Sequence, residues 1–300
     1  MRARTFRNVG STFDSGHEGS PGRKFPVFEH KFHFRRSGIG RFLLSFTTVN
    51  KPVTQDRFLE CYRGGQGRWN HMAYLRLCKV FVILEAIRRN GHVLAGSRIF
   101  DYAFGAGTFF RHCPRTAQLF GVELDAATVG EVTLALQSDG FSQMDLDVIA
   151  LDSWQKHRLL QSQYDLVVCS HVLEHLDEPS LLLSCLRRCL SEKGRIVAIV
   201  PINEIRQNPH HVQVVDRERI EAWASTAELK VEDYFECDSV GWIIQPLLAS
   251  NKGVVHKLAR LASLATGLPF AFLGLASWRL VNLMLRSVRI PASQACIVLK

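Results

Sequence analysis

Apolar residues recur at helical spacing between Trp69 and Arg89, and this periodicity predicts an amphipathic helix. Arg88 and Arg89 stand in its last turn and Gly91 follows, which is how a helix commonly ends. The apolar face of this helix is predicted to consist of Ala73, Leu77, Val80, Phe81, Leu84 and Ile87.

Short apolar runs alternate with helical segments from residue 97 onward, which is the pattern of a parallel, doubly wound α/β sheet. Because the runs are almost continuously hydrophobic, we expect the strands to be buried on both faces. The predicted strands are 97–102, 117–123, 145–150, 165–170, 195–200, 229–235 and a closing strand at 294–300, and the predicted helices include 126–138, 179–191 and 216–227.

The composition is that of a folded soluble chain. It has 300 residues with 47% hydrophobic and 22% charged side chains, which excludes wholesale disorder and a polytopic membrane protein. The net charge of +9 is concentrated at the two ends: residues 1–41 carry nine basic against three acidic side chains, and no acidic side chain follows Asp238. The central region is therefore slightly acidic, which argues against a nucleic-acid partner.

The eight cysteines form no C-x-x-C pair and mostly stand in apolar runs, which indicates reduced core residues of a cytoplasmic protein. The N-terminal residues lack the continuous apolar stretch of a secretory signal, and their early arginines leave a weak organelle presequence as the alternative. We expect a flexible basic tail over 1–40, an N-terminal helical cap over 41–95, a core over 96–238, a basic apolar insertion over 239–290 and a closing strand over 291–300.

A glycine-bearing turn follows the first predicted strand, and a carboxylate ends the second. Gly105 and Gly107 allow the backbone to approach a ligand closely, and Glu123 can accept two hydrogen bonds from a ribose diol. Ligands of doubly wound sheets bind beyond the carboxyl ends of such strands, so the pattern indicates a nucleoside cofactor. A tight turn that needs glycine only for steric reasons is the alternative.

Four segments follow one another in order: Asp101-x-Ala103-x-Gly105-x-Gly107, Gly121-Val122-Glu123, Ala150-Leu151-Asp152-Ser153 and Tyr164 to His175. Together they resemble the class I S-adenosylmethionine-dependent methyltransferases, most of all the small-molecule branch that includes the ubiquinone-biosynthesis O-methyltransferases. The resemblance extends from about Trp69 to Tyr234. It implies a Rossmann-like, seven-stranded mixed sheet with an antiparallel last strand, an N-terminal helix and a helical insertion before the final strand. It also implies methyl transfer from S-adenosyl-L-methionine to a small-molecule or lipid-like acceptor, with oxygen favoured.

The resemblance further implies which residues contact the cofactor. A carboxylate at Asp101 would repel a pyrophosphate but tolerate an ammonium and a sulfonium group, and the third glycine of a nicotinamide-binding turn is missing. The chain departs from the family at Ala103, where glycine is usual, and the bulky Phe104 follows. The implied contacts are Asp101, Ala103, Gly105 and Gly107 at the methionine end, Glu123 and Leu124 at the ribose, Asp152 and Ser153 at the adenine, and Ser170.

The string His171-Val172-Leu173-Glu174-His175 has two interpretations. It fits the H-x-x-E-H pattern of inverted zinc metallopeptidases, which requires both histidines on one sustained helix. A buried-strand run precedes the string and a helix start at Pro179 follows it, so little room remains for that helix. The ubiquinone-pathway relatives carry a Glu-x-x-Glu-His here that can hold a divalent metal, and His171 replaces the first glutamate, which leaves metal binding open.

Methyl transfer to a hydroxyl requires a group that removes its proton, and histidine has a suitable pKa. His171 is the first candidate for a general base or substrate ligand, and His175 and His210 with the neighbouring His211 are further candidates. Polar loop histidines without a catalytic role are the alternative for each. A non-catalytic scaffold or membrane-associated binding protein on the same fold is the alternative function.

The insertion before the closing strand is basic and apolar. Leu261 to Trp278 contains no charge and is about as long as a minimal membrane span, but a proline and two glycines interrupt it and the chain must return to the same sheet. Helix-like stretches with basic residues flank it at 254–265 and 278–289. The pattern suits peripheral attachment of residues 250–290 to an anionic membrane, or a lid over a greasy acceptor. A lid or dimer contact that never meets lipid is the alternative.

Overall fold

The computed structural model describes residues 25–33, 45–53, 72–204, 211–248 and 253–300. Within it the chain divides into two units, one of residues 1–58 and one of residues 59–300. The functional residues predicted from the sequence all belong to the second unit.

The first unit contains a hairpin in which strand β1 (Phe25–His33) pairs antiparallel with strand β2 (Ser45–Val53). Both segments are rich in aromatic and β-branched residues, which favour strands. The sequence analysis expects a flexible tail and the start of a helical cap here and does not anticipate the hairpin, because glycine, serine and charge dominate the surrounding composition. The rest of residues 1–71 lies outside the described part of the chain.

The second unit is built on one mixed sheet. Its strands are β3 (Arg98–Tyr102), β4 (Gln118–Glu123), β5 (Met144–Val148), β6 (Tyr164–Ser170), β7 (Leu190–Pro201), β8 (Val231–Cys237) and β9 (Gln294–Leu299). Their spatial order is β5-β4-β3-β6-β7-β9-β8. Strands β3 to β7 pair in parallel, whereas β9 runs antiparallel to both β7 and β8. The predicted seven-stranded mixed sheet with an antiparallel last strand is thus confirmed.

Helices cover both faces of this sheet. Asp125 and Asp216 cap two of them by accepting hydrogen bonds from backbone amides three residues later, and Pro179 begins a third. These start signals explain why the predicted and observed helix starts agree closely. The helices are α1 (Tyr74–Arg89), α2 (Ala126–Ser138), α3 (Pro179–Arg188), α4 (Arg217–Thr226), α5 (Ser239–Leu248) and α6 (Gly253–Ser287).

Several boundaries differ from the prediction. Helix α1 begins at Tyr74 instead of Trp69, and β8 is shifted by two residues from the predicted 229–235. Helix α3 ends at Arg188, and β7 begins at Leu190 instead of residue 195, because Leu190 already pairs with β6 before a shift in the ladder register. The helices predicted at 254–265 and 278–289 are parts of one helical run, α6, which is broken at Gly274, where φ is 71°. The apolar stretch between them is therefore helical, and α5 is a further helix that the sequence analysis does not anticipate.

Helix α1 is buried on most of its circumference. It packs against β7 and β9 on one side and against α5 and α6 on another, so Tyr74, Val82 and Ile83 are buried in addition to the predicted apolar face. A second apolar cluster, on the other face of the sheet, includes residues of α3 and α4. The cysteines of the described residues are buried free thiols, as the sequence predicts.

One buried carboxylate joins α1, α5 and β9. Asp238 is 1% exposed and accepts hydrogen bonds from Tyr74 Oη at 2.5 Å, the Gly241 amide at 2.9 Å, Ser293 Oγ at 2.9 Å and Gln294 Nε2 at 2.8 Å. A carboxylate has about four acceptor sites, so these donors satisfy it.

Helix α6 is attached to the same cluster. Trp278 Nε1 donates to Tyr74 Oη at 3.0 Å, and Asn282 Oδ1 accepts from the Ser239 amide at 2.7 Å. Burial, followed by the charge of Asp238, raises the pKa of Tyr74 well above its ordinary value. The Tyr74 hydroxyl therefore stays protonated and keeps donating to Asp238.

Replacing Asp238 with asparagine should lower the free energy of unfolding by about 2 to 3 kcal/mol. The amide nitrogen of asparagine would face hydrogen-bond donors at a place where a carboxylate oxygen now accepts their hydrogen bonds. Asparagine tolerates the left-handed φ of 68° at this position, so the loss reports the carboxylate itself. Urea unfolding measures the change, with the exposed Glu131→Gln as the control. A loss below about 0.5 kcal/mol would contradict the assigned role.

Candidate active site

The predicted site residues lie at the carboxyl edge of the sheet. Strand β3 has β4 on one side and β6 on the other, so the chain order reverses at β3. This switch point is where open α/β sheets bind their ligands. The turns that follow β3, β4, β5 and β6 form the candidate site.

The turn after β3 contains three residues with left-handed backbone. Ala103, Gly105 and Gly107 have φ angles of 62°, 54° and 63°. A Cβ at Gly107 would lie 2.5 Å from Val132 Cγ1, so this glycine allows the turn to pack directly on α2. The conformation of Ala103 costs a non-glycine residue about 1 kcal/mol, a cost that a glycine would avoid.

Phe104 points away from the turn and into the core. It is 6% exposed and packs against Phe110 with the ring centroids 5.7 Å apart. Gly121 on β4 makes room for it, because a Cβ at Gly121 would lie 2.7 Å from Phe104 Cδ1. The bulky side chain therefore fills the core beneath β4.

Glu123, at the end of β4, is turned toward the glycine turn. Its Oε2 accepts from the Gly105 amide at 2.8 Å, and its Oε1 accepts from the Leu124 amide at 2.7 Å. A carboxylate offers about four lone-pair sites, so capacity remains for a ligand with two hydroxyl donors. Burial raises the pKa of Glu123, although the two backbone amides act in the opposite direction.

Asp101 on β3 is a buried carboxylate whose Oδ1 has no hydrogen-bond partner among the described residues. Burial, followed by the charge of Glu123, raises the pKa of Asp101 well above its ordinary value. Because an unpaired buried carboxylate is unfavourable, a cationic ligand group would be stabilised here.

Lys79 on α1 is a site residue that the sequence analysis missed. Its charge lowers the pKa of Asp101 and also that of His171. Burial lowers the pKa of Lys79 itself. The sequence signal for this residue was a single lysine between Cys78 and Val80. Its importance depends on the burial of the helix from two sides, which only the structure shows.

The segment after β5 supplies Asp152 and Ser153. Both are exposed, and Ser153 Oγ donates to Asp152 Oδ1 at 3.1 Å. Trp154, the next residue, packs edge-on against Tyr102 at the end of β3, with the ring centroids 6.3 Å apart. The contact holds this segment beside the glycine turn, with the two polar side chains open to solvent.

His171 follows β6 with a left-handed φ of 56°. Its Nδ1 lies 3.2 Å from Glu174 Oε1, and its Nε2 lies 3.4 Å from Gln294 Oε1. Ser170 Oγ, one residue earlier, is buried and has no hydrogen-bond partner in the described part of the chain. Burial and the charge of Lys79 lower the pKa of His171, while Glu174 and Gln294 raise it. The imidazole is thus held between two acceptors at the strand end.

Glu174, His175 and His211 bring three possible metal-ligand atoms within 4.8 Å of one another. Glu174 is fully buried, and its carboxylate makes no aligned hydrogen bond to a described side chain. Glu204 Oε2 lies 2.8 Å from His211 Nδ1 and would orient that ring. Two imidazoles and a carboxylate suit a divalent ion such as Zn²⁺. His210 lies outside the described residues.

The inverted zinc-peptidase interpretation fails on secondary structure. Residues Leu173–His175 form one 3-10 turn, and His171 lies outside it. The two histidines of the string therefore do not share the sustained helix that this motif needs.

Residues 76–234 match the family model of the methyltransferase domain. The chain belongs to this family. A protein from Galdieria sulphuraria, provisionally named a sarcosine dimethylglycine methyltransferase, is similar in structure with a TM-score of 0.54, over 81% of this chain and 95% of its own, at 12% identity. Coclaurine N-methyltransferase, solved with N-methylheliamine and SAH, gives a TM-score of 0.51 over 76% of this chain and 74% of its own, at 8% identity. Both show a shared fold, and no curated protein matches the chain significantly.

The family model identifies a methyltransferase domain, and the carboxyl edge of the sheet fits S-adenosylmethionine as its methyl donor. The unpartnered Oδ1 of Asp101 suits a cationic group, and the remaining acceptor sites of Glu123 suit a ribose diol. Phe104, which could have filled the space, lies in the core.

Replacing Glu123 with glutamine should weaken the binding of S-adenosylmethionine by about tenfold or more, because a charged acceptor of two hydrogen bonds becomes a neutral one. Calorimetry with S-adenosylmethionine and S-adenosylhomocysteine measures the dissociation constants. Glu131→Gln, an exposed carboxylate on α2, is the matched control. Equal affinities for the wild type and Glu123→Gln would refute the ribose assignment.

The affinity for S-adenosylmethionine should fall as the pH is lowered from about 8 to 5. The pKa of Asp101 is raised in the protein without ligand, whereas a cationic ligand favours the ionised form of this carboxyl group. At low pH, Asp101 must therefore release a proton before the ligand binds, and this lowers the affinity. Asp101→Asn should bind more weakly at high pH and show a flatter pH dependence, with Glu123 supplying the remainder. A wild-type affinity that does not change with pH would show that Asp101 does not face the cationic groups.

Proposed function

We propose that this methyltransferase methylates a hydroxyl oxygen of a small, lipid-like acceptor, as in the ubiquinone-biosynthesis O-methyltransferases that its sequence resembles. The observation that carries the proposal is His171, which stands at the carboxyl end of β6 between Glu174 and Gln294. A hydroxyl must lose its proton when its oxygen is methylated, so this reaction needs a base at the site.

The methyl donor is held, in this proposal, around the glycine turn. When bound, S-adenosylmethionine supplies a methyl group activated by a sulfonium. Asp101 Oδ1, which has no hydrogen-bond partner among the described residues, and the inward-turned Glu123 support the arrangement. The proposed contacts are Asp101, Ala103, Gly105 and Gly107 at the methionine end, Glu123 and Leu124 at the ribose, Asp152 and Ser153 at the adenine, and Ser170 beside the reacting end.

His171 is the proposed general base, with Glu174 and Gln294 as positioning residues. The Gln294 amide nitrogen donates to Asp238 at 2.8 Å, which turns Gln294 Oε1 toward His171 Nε2. The carboxylate of Glu174 favours a proton on Nδ1 of His171. Nε2 is therefore the ring atom that takes the proton from the hydroxyl group of the substrate. Both N–H groups of the protonated ring then face acceptors, whereas burial keeps the ring neutral beforehand.

A divalent cation held by Glu174, His175 and His211 would add Lewis-acid activation of the acceptor oxygen. The role of His171 as base does not require it. Turnover in the presence of a chelator, compared with turnover after addition of Zn²⁺ or Mg²⁺, separates the two contributions.

The lipid-like character of the acceptor and a cytoplasmic, membrane-peripheral location are part of the proposal. They are supported by α6, which exposes large apolar side chains such as Phe272 and Leu273 and packs on α1, the helix that carries Lys79. An acceptor that partitions into lipid would be found at such a surface.

Replacing His171 with glutamine should lower kcat about 100-fold or more while leaving the affinity for S-adenosylmethionine nearly unchanged. The assay follows methyl-labelled donor with a set of phenolic and long-chain hydroxyl acceptors. In the wild type, kcat should fall as the pH is lowered, because the base must be neutral and protonation removes it. His92→Gln, in the loop after α1, is the control. Full activity of His171→Gln, or a product methylated on nitrogen, would contradict the proposal.

A further inference from the structure

Helix α6 presents an apolar stripe to solvent. Large apolar side chains are exposed both before and after the break at Gly274. Phe272 is 79% exposed and Leu273 is 68% exposed. The apolar stripe consists of Leu258, Leu261, Phe272, Leu273, Leu280, Leu283 and Met284 of α6, with Val288 directly after the helix.

The opposite side of α6 faces the protein, where Phe270 and Trp278 join the hydrophobic core. Ser263 Oγ accepts from a backbone amide of α1 at 3.4 Å, and Asn282 Oδ1 accepts from the first amide of α5 at 2.7 Å. A Cβ at Gly267 would lie 1.9 Å from the backbone just before α1. These contacts fix the rotation of α6, so its exposed leucines stay on the outer side. The helix is therefore apolar both toward the core and toward solvent, unlike a helix whose outer side is adapted to water.

Basic residues accompany the apolar stripe. Arg279 lies 3.3 Å from Glu85, and Arg286 donates to the Glu236 carbonyl, so both flank the stripe where α6 meets the rest of the unit. Arg289 is exposed just beyond the helix. The chain after Asp238 contains seven basic and no acidic side chains, and this charge is complementary to an anionic surface.

We propose that the apolar stripe of α6 inserts into the headgroup and upper acyl region of an anionic bilayer, with the helix lying parallel to the membrane plane. An apolar face bordered by arginines has the character of an interfacial helix. This inference rests on the membrane-peripheral location in the proposed function and specifies the surface, the lipid charge and the orientation of the helix, and its test does not depend on methyl transfer.

The helix lies on the membrane and does not cross it. Leu261–Ser287 is long and apolar enough to span a bilayer, with a mean hydropathy of 1.5 and only 17% of its apolar window buried. However, α6 packs along α1, and the chain on its two sides belongs to one folded unit, since β8 and β9 pair in the same sheet. The break at Gly274 also falls within the apolar stretch.

Sedimentation of the full chain with vesicles tests the proposal. Vesicles of phosphatidylcholine with phosphatidylglycerol should pellet the protein at least about tenfold more strongly than phosphatidylcholine alone, and high salt should reduce the difference. Equal recovery in the supernatant with and without anionic vesicles would overturn the proposal. Equal binding to both vesicle types would also overturn it, because the arginines would then have no part.

The double variant Phe272→Ser with Leu273→Ser should lose at least about tenfold in vesicle affinity, while its urea midpoint stays at the wild-type value because both side chains are exposed. Leu134→Ser, which changes a 67% exposed leucine on α2, is the matched control and should bind as the wild type does. Light scattering gives the mass of each protein in solution. A wild-type dimer that the double variant converts to a monomer, without vesicle binding by either, would show that the apolar stripe is a dimer contact and would overturn the membrane assignment.

Discussion

The buried carboxylate of Asp238 is the contact on which the arrangement of this methyltransferase most depends. It follows β8 directly, and its acceptor sites are filled by donors from α1, α5 and the β9 region. A charge at 1% exposure is tolerable only with that full set of partners. The insertion that separates β8 from β9 is therefore fixed to the core at the place where the chain leaves the sheet, and it is fixed again near its return.

The same carboxylate connects the surface helix with the proposed base. On one side Trp278 of α6 donates to Tyr74, which donates to Asp238. On the other side Gln294 donates to Asp238 and directs its carbonyl oxygen at His171. The orientation of a glutamine amide is otherwise ambiguous, and here one buried charge decides it. A rearrangement of α6 would consequently change the position of Gln294 beside His171 through these hydrogen bonds, without any movement of the parallel strands.

Periodicity and start signals are local properties, and they were sufficient for the strands and the capped helices. The mixed topology with its antiparallel last strand was implied by the resemblance instead. The residues that depend on tertiary partners were harder. From the sequence, Lys79 is expected to be one polar residue on the solvent side of an amphipathic helix. In the structure, α6 packs against another side of α1. Asp238 looks like the end of the acidic region in the sequence, because its donors lie up to 164 positions away. The direction of the Phe104 side chain depends on Gly121 on the neighbouring strand, which leaves space for the ring. The sequence alone does not show whether this ring enters the cofactor cleft or the core.

The two carboxylates of the cleft bear on how the product leaves. Asp101 and Glu123 are both held at raised pKa by burial, and the charge of Glu123 raises that of Asp101 further. An empty site is thus electrostatically unfavourable, and a ligand with two positive centres, an ammonium and a sulfonium, relieves more of this cost than a ligand with one. Loss of the methyl group removes the sulfonium charge and leaves Asp101 with a weaker partner. In the proposed arrangement, the buried charge of Asp101 would therefore also favour the methyl donor over the demethylated product.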